Sequence, residues 1–135
     1  MKKIISVILL TGLLSGCWTP YTTPRPPSLR ASVTTVANRV CVMVQPEENE
    51  YIRAITIQEV GAEKSGLDKT NLKIPVSADK CVNDFDYGFK IGKAYNLTVV
   101  LESPPKQGIT PGIRMFNAGF TLWDKNGEWE VTTLY

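Results

Sequence analysis

Apolar side chains recur at every second position along short stretches of this chain, and glycine, proline and asparagine separate the stretches. Tyr95, Leu97, Val99 and Leu101 alternate with Asn96 and Thr98, and Phe116, Ala118, Phe120 and Leu122 repeat the pattern within Ile113 to Trp123. A period of two lines such residues along one side of an extended chain, whereas a helix would scatter them around its axis. Ser32 to Val36 and Arg39 to Val44 are further β-branched runs, separated by Ala37 and Asn38 as a short turn. Tyr51 to Val60 places Ile55 and Ile57 on one face. Leu72 to Val76 contains Pro75, which has no amide to donate and suits only a sheet edge. Phe85, Tyr87, Phe89 and Ile91, interleaved with Asp86, Gly88, Lys90 and Gly92, predict another half-buried strand running into a glycine turn. Asp124, Lys125, Asn126 and Gly127 predict a hairpin turn into Glu128 to Leu134, where Trp129 and Val131 share a face, because Asn and Gly tolerate positive φ.

Beyond the N-terminal apolar run, no segment shows ten or more residues of helical periodicity. Short strands at regular spacing predict an all-β domain over residues 31–135, a small antiparallel sandwich of about seven strands. Phe89, Gly92, Tyr95, Leu97 and Val99 resemble the strand, turn, tyrosine, strand element of immunoglobulin-like and fibronectin-like sandwiches. The resemblance implies that architecture.

The chain opens on Lys2 and Lys3 followed by an unbroken apolar or small-residue run from Ile4 to Leu14. Such a run is shorter than the roughly 20 residues of a permanent membrane span and reads as an export signal. Leu14, Ser15, Gly16 and Cys17 resemble the bacterial lipobox, which implies a signal peptide over residues 1–16, cleavage before Cys17 and a diacylglycerol on its thiol. By the same likeness the amino group of Cys17 is acylated, a palmitate-type modification, so Cys17 is the expected lipid attachment site and the membrane is a partner through it. At about 0.8 kcal/mol per buried methylene, two or three chains make a durable anchor. Trp18 follows in place of aspartate, which by resemblance to enteric lipoproteins implies the periplasmic face of the outer membrane rather than the inner. Residues 17–30 complete an anchor and tether, since four prolines between Trp18 and Arg30 favour an extended, stiff chain.

Charge and composition narrow the functional classes. The formal net charge of +2 disappears once Lys2 and Lys3 leave with the signal, and 13 basic residues then balance 13 acidic ones. A balanced chain lacks the basic stripe that neutralising phosphates requires, so no nucleic-acid partner is expected. Histidine is absent, which removes Ser/His/Asp and Cys/His relays and the commonest metal ligand. The acidic residues occupy polar, turn-like contexts, without the buried, protonated carboxyl a glycosidase pair needs. Asp84, Asp86 and Gly88 imitate half a calcium loop but lack a third acidic ligand and the distal glutamate, so they read as a solvated face. The expectation is a protein with no catalytic residue, no metal and no cofactor.

With Cys17 committed to lipid, Cys41 and Cys81 form an even pair in an oxidising compartment and predict a structural disulfide. No Cys-x-x-Cys spacing favours a redox role. Two loops stand out as candidate contact surfaces. Glu47, Glu48 and Glu50 form an acidic cluster that reads either as a solvated turn or as a contact for a basic partner, and Ser103 to Gly112, with Pro104, Pro105 and Lys106, reads either as a stiffened loop that avoids proteolysis or as a connection that loses little entropy on binding.

The order of lipobox, proline tether and two-cysteine sandwich resembles a group of small enterobacterial lipoproteins, the periplasmic immunity proteins of type VI secretion. The likeness is carried by Leu14 to Cys17, by Val40-Cys41-Val42-Met43-Val44 with Gln45-Pro46, by Lys80-Cys81-Val82, and by Phe89 through Val99. It implies a protein that binds and neutralises a cognate effector toxin without chemistry of its own. The alternative reading is a structural or accessory lipoprotein of an envelope secretion or surface apparatus.

Overall fold

The computed structural model of the protein describes residues 28–104 and 112–134. Nine strands occur in chain order: β1 (Ser28–Arg30), β2 (Ser32–Val36), β3 (Arg39–Met43), β4 (Tyr51–Glu59), β5 (Ala62–Lys69), β6 (Ile74–Pro75), β7 (Ala94–Glu102), β8 (Ile113–Lys125) and β9 (Glu128–Thr133). The described residues contain no helix. Seven strands make one sheet in the order β1-β8-β7-β4-β5, with β6 beside β4 and β9 beside β8, and β2 and β3 make a separate hairpin. The fold is therefore an all-β sandwich, with a large layer and a small one.

Alternation explains the core. Tyr95, Leu97, Val99 and Leu101 of β7 and Phe116, Phe120 and Leu122 of β8 are all buried, and Val40, Val42 and Val44 close over them from the hairpin layer. Each such side chain contributes about 1.5–3 kcal/mol by leaving water. On β4 a strict period of two fails, because Ile52 and Ile55 are both buried. The register with β7 shifts between Ile52 and Ala54, so Arg53 is an inserted bulge residue that returns Ile55 and Ile57 to the inner face.

Both predicted tight turns form. Ala37 and Asn38 have φ of 50° and 56°, and Asn126 and Gly127 have φ of 55° and 85°. Residue pairs with two positive φ values match the twist of the strands they join. The two turns are also tied together, since Asn38 Nδ2 donates to the Gly127 carbonyl and Asn38 Oδ1 accepts the Trp129 amide, both at 3.1 Å.

Three expectations change. The stretch Phe85 to Ile91 is not a strand: Phe85 and Asp86 both have φ of 55°, and the side chains of Asn83 and Asp84 accept the amides two residues on. Phe85, Tyr87 and Phe89 still pack against the core from this loop, whereas Ile91, expected on the same face, is 41% exposed; the alternation reported burial correctly for the three aromatics and backbone conformation wrongly. Secondly, β5 was not legible, since Ala-Glu-Lys-Ser-Gly-Leu-Asp-Lys has neither alternation nor β-branched residues. Its pairing is imposed by β4, next to which Leu67 is opposite Ile57. Thirdly, residues 28–30, expected to close the tether, form strand β1 of the large sheet. β1 lies parallel to β8 from Met115 to Asn117, and the Ala31 amide donates to the Asn117 carbonyl at 2.9 Å before the chain crosses to the other layer as β2.

One side-chain node fixes the turn before β7. Tyr95 is fully buried, and its hydroxyl accepts the Lys90 amide at 2.7 Å, five residues upstream. The tyrosine corner of immunoglobulin-like sandwiches makes the same kind of bond to upstream backbone. Burial pushes the Tyr95 phenol up, the Lys90 amide draws it down, and the neighbouring Glu59 carboxylate raises it further.

Candidate binding surface

Strand directions give the sandwich two distinct ends. At one end lie Ser28, the Gln45 to Glu50 loop, and the joined residues Ser103 and Gly112, where the Ser103 amide donates to the Gly112 carbonyl at 2.9 Å. This is the end at which the chain arrives from residues 1–27. At the other end are the four turns around Ala37, Gly61, Gly92 and Gly127.

The first end is governed by Arg114. Its Nη2 meets Glu50 Oε1 at 2.6 Å and its Nε meets Glu50 Oε2 at 2.8 Å, a bidentate pair in which the Glu50 side chain is 3% exposed. The same Nη2 donates to the Gln45 carbonyl at 2.9 Å, and the guanidinium lies over the Phe116 ring. The hydrogen-bonded guanidinium holds the Glu50 carboxyl below its usual range, against the opposing effect of burial, and Glu50 in turn raises Arg114. The acidic cluster therefore divides. Glu50 is a structural brace of its loop, with its Oε1 also accepting the Glu47 amide. Glu47 is largely exposed at 3.7 Å from Arg114, and Glu48 is exposed. Pro104 is exposed beside Ser103, while Pro105 and Lys106 lie outside the described residues, as does Cys17.

The predicted disulfide is present between Cys41 and Cys81. Cys41 is buried on β3 whereas Cys81 is exposed, so the bridge pins a surface loop onto the small layer rather than joining two core positions. The Val82 amide adds a 2.7 Å bond to the Val42 carbonyl. Between this loop and the β2–β3 turn run two adjoining hollows of about 190 and 440 Å³, which share Arg39, Val40, Asp84 and Asp86. Arg39 crosses the space to Asp86 at 3.1 Å, with side chains 70% and 93% exposed, so the clasp contributes at most about 1 kcal/mol. Asp84 accepts the Asp86 amide, and both carboxylates thus have partners within the chain. Among the described residues no group of three or more His, Cys, Asp or Glu side chains is placed to hold a metal ion.

The second end has a different surface. Val36, Val60, Ile91 and Trp123 are all exposed there, at 54%, 55%, 41% and 48%. Val60 and Trp123 take the outward positions of the alternation, next to the buried Glu59 and Leu122, whereas Ile91, expected on a buried face, is exposed in the turn before the positive-φ Gly92.

No curated protein and no solved structure matches the chain. The chain belongs to a family defined by a domain of unknown function, DUF7480, whose model matches residues 28–125 and so takes in β1 through β8.

Proposed function

We propose that this protein is a lipid-anchored binding protein of the bacterial envelope that neutralises a cognate type VI secretion effector by occupying it, without catalysis. The observation that carries most weight is the Cys41–Cys81 bridge, which fits residence in an oxidising compartment and agrees with the export signal and lipobox read from the sequence. A histidine-free chain folded as a braced sandwich with exposed apolar turns suits recognition of a protein better than chemistry on a small substrate. Anchoring through Cys17 would hold the binder in the compartment where the toxin acts.

The test is co-expression with the product of the adjacent reading frame, exported to the periplasm. Rescue of growth together with co-purification is the expected result. Failure of both removes the immunity reading and leaves the accessory lipoprotein of a secretion or surface apparatus. The anchor is checked separately: Cys17→Ala should move the protein from the membrane fraction to the soluble periplasm.

A further inference from the structure

The molecule is polarised from end to end, and the polarity bears on where a partner docks. This inference rests on the binding role proposed above. Both loops favoured by the sequence, Glu47 to Glu50 and Ser103 to Gly112, leave the domain at the same end as Ser28, where the chain comes from the proposed anchor. On the proposed anchoring, this is the end attached to the membrane. The opposite end carries no such attachment and is free for a partner.

At that far end the turns form one hydrogen-bonded assembly. The Val60 amide donates to the Ala94 carbonyl at 2.9 Å, the Gly92 amide to the Leu122 carbonyl at 2.6 Å, and the Leu122 amide to the Lys93 carbonyl at 3.0 Å. Val60, Ile91 and Trp123 are thereby presented on adjoining, braced segments while remaining roughly half exposed. Lys64, Lys90 and Lys93 are exposed around them, and among the described residues none of the three is in an ion pair. Asp124, Glu128 and Glu130 border Trp123 on the β8–β9 side, with Glu130 directly opposite Trp123 in the register.

We infer that this far end, centred on Val60, Ile91 and Trp123, is the docking surface for a folded protein partner that sets carboxylates against Lys64, Lys90 and Lys93. Apolar anchors inside a charged rim are the usual composition of an interface, and aromatic residues at its centre carry most of the affinity. The three neighbouring carboxylates disfavour an anionic lipid surface as the occupant, because they would face its phosphates. A protein can answer both signs of charge.

The experiment measures Kd for the purified product of the adjacent reading frame against the full-length protein and its variants. Lys93→Glu and Ile91→Asp change exposed turn residues, and an unchanged melting temperature verifies that they fold; each should weaken binding about tenfold or more, as should Trp123→Ala. Equal affinity of all three variants and the unaltered protein overturns this inference while leaving the binding role standing. So does a loss confined to Glu48→Lys at the other end. If the unaltered protein does not bind that product at all, the binding role fails and the docking surface with it. A last arm uses vesicles of phosphatidylethanolamine and phosphatidylglycerol with the Cys17→Ser protein: sedimentation that Ile91→Asp abolishes would make this a lipid-facing end and overturn the protein partner.

Discussion

Glu50 and Arg114 show how far the meaning of a residue depends on what folding brings to it. In sequence, Glu50 is one of three carboxylates in a loop, and the reading of such a cluster is a solvated, partner-facing surface. In the fold it is buried against a guanidinium supplied 64 positions away, with two short hydrogen bonds. Glu50→Ala strips Arg114 of its bidentate partner, leaving the Gln45 carbonyl and the more distant Glu47, and should cost about 3 kcal/mol, measured by urea unfolding, whereas Glu48→Lys at an exposed position should stay within about 0.5 kcal/mol. The pair also sets a pH dependence. Because Arg114 depresses the Glu50 carboxyl in the folded state, its contribution is fully present above the ordinary carboxylate pKa and is lost as pH falls through the lowered folded value. Melting curves between pH 7 and pH 3 should therefore fall less steeply for Glu50→Gln than for the unaltered protein. At Tyr95 the expected change is of a different kind. Tyr95→Phe leaves the ring packing intact but strips the Lys90 amide of its acceptor, and a loss of about 1–3 kcal/mol is expected in the same unfolding measurement.

Among the elements, those whose residues alternate were legible and those stabilised by a neighbour were not. β7 and β8 announce themselves because one side of each is continuously apolar, and burial against the small layer is what that pattern requires. β5 has no such pattern and is extended because β4 offers it a free edge; a local sequence carries no record of that edge. The loop from Cys81 to Ile91 misled for the opposite reason. Its alternating aromatics satisfy the burial requirement of a strand, but two successive residues with positive φ break the extended chain, and among the described residues no strand pairs with it. The disulfide and the Val82 amide fasten the start of this loop, and the core packing of Phe85, Tyr87 and Phe89 with the Lys90 to Tyr95 bond holds the rest. Replacing both cysteines by serine should cost roughly 4 kcal/mol on the chain-entropy account of a bridge between residues 40 apart. Hydrogen exchange should localise the change, with the Val82 amide losing protection while the β7 and β8 amides keep theirs relative to global unfolding.

For the whole molecule, the three-residue strand β1 has a larger role than its length suggests. β8 has β7 along one edge, and its other edge is shared by β9 beyond Phe120 and by β1 from Met115 to Asn117. A protein beginning at Ala31 would uncover part of that second edge and remove the bond from Asn117 Nδ2 to Ser28 Oγ. Its melting temperature should drop by a few degrees, about 1 kcal/mol, with increased self-association in light scattering, because an uncovered edge templates further strand pairing. The sequence by itself determined the all-β class, most strand positions, both tight turns and the cysteine pairing, because period-two burial, positive-φ residues and parity are local or compositional properties. Only the tertiary structure decided that Glu50 braces its loop, that β5 is a strand, that residues 85–91 are not, and which turns share an end of the sandwich. Those outcomes depend on contacts between residues far apart in the chain, and no local pattern specifies which distant neighbour will arrive.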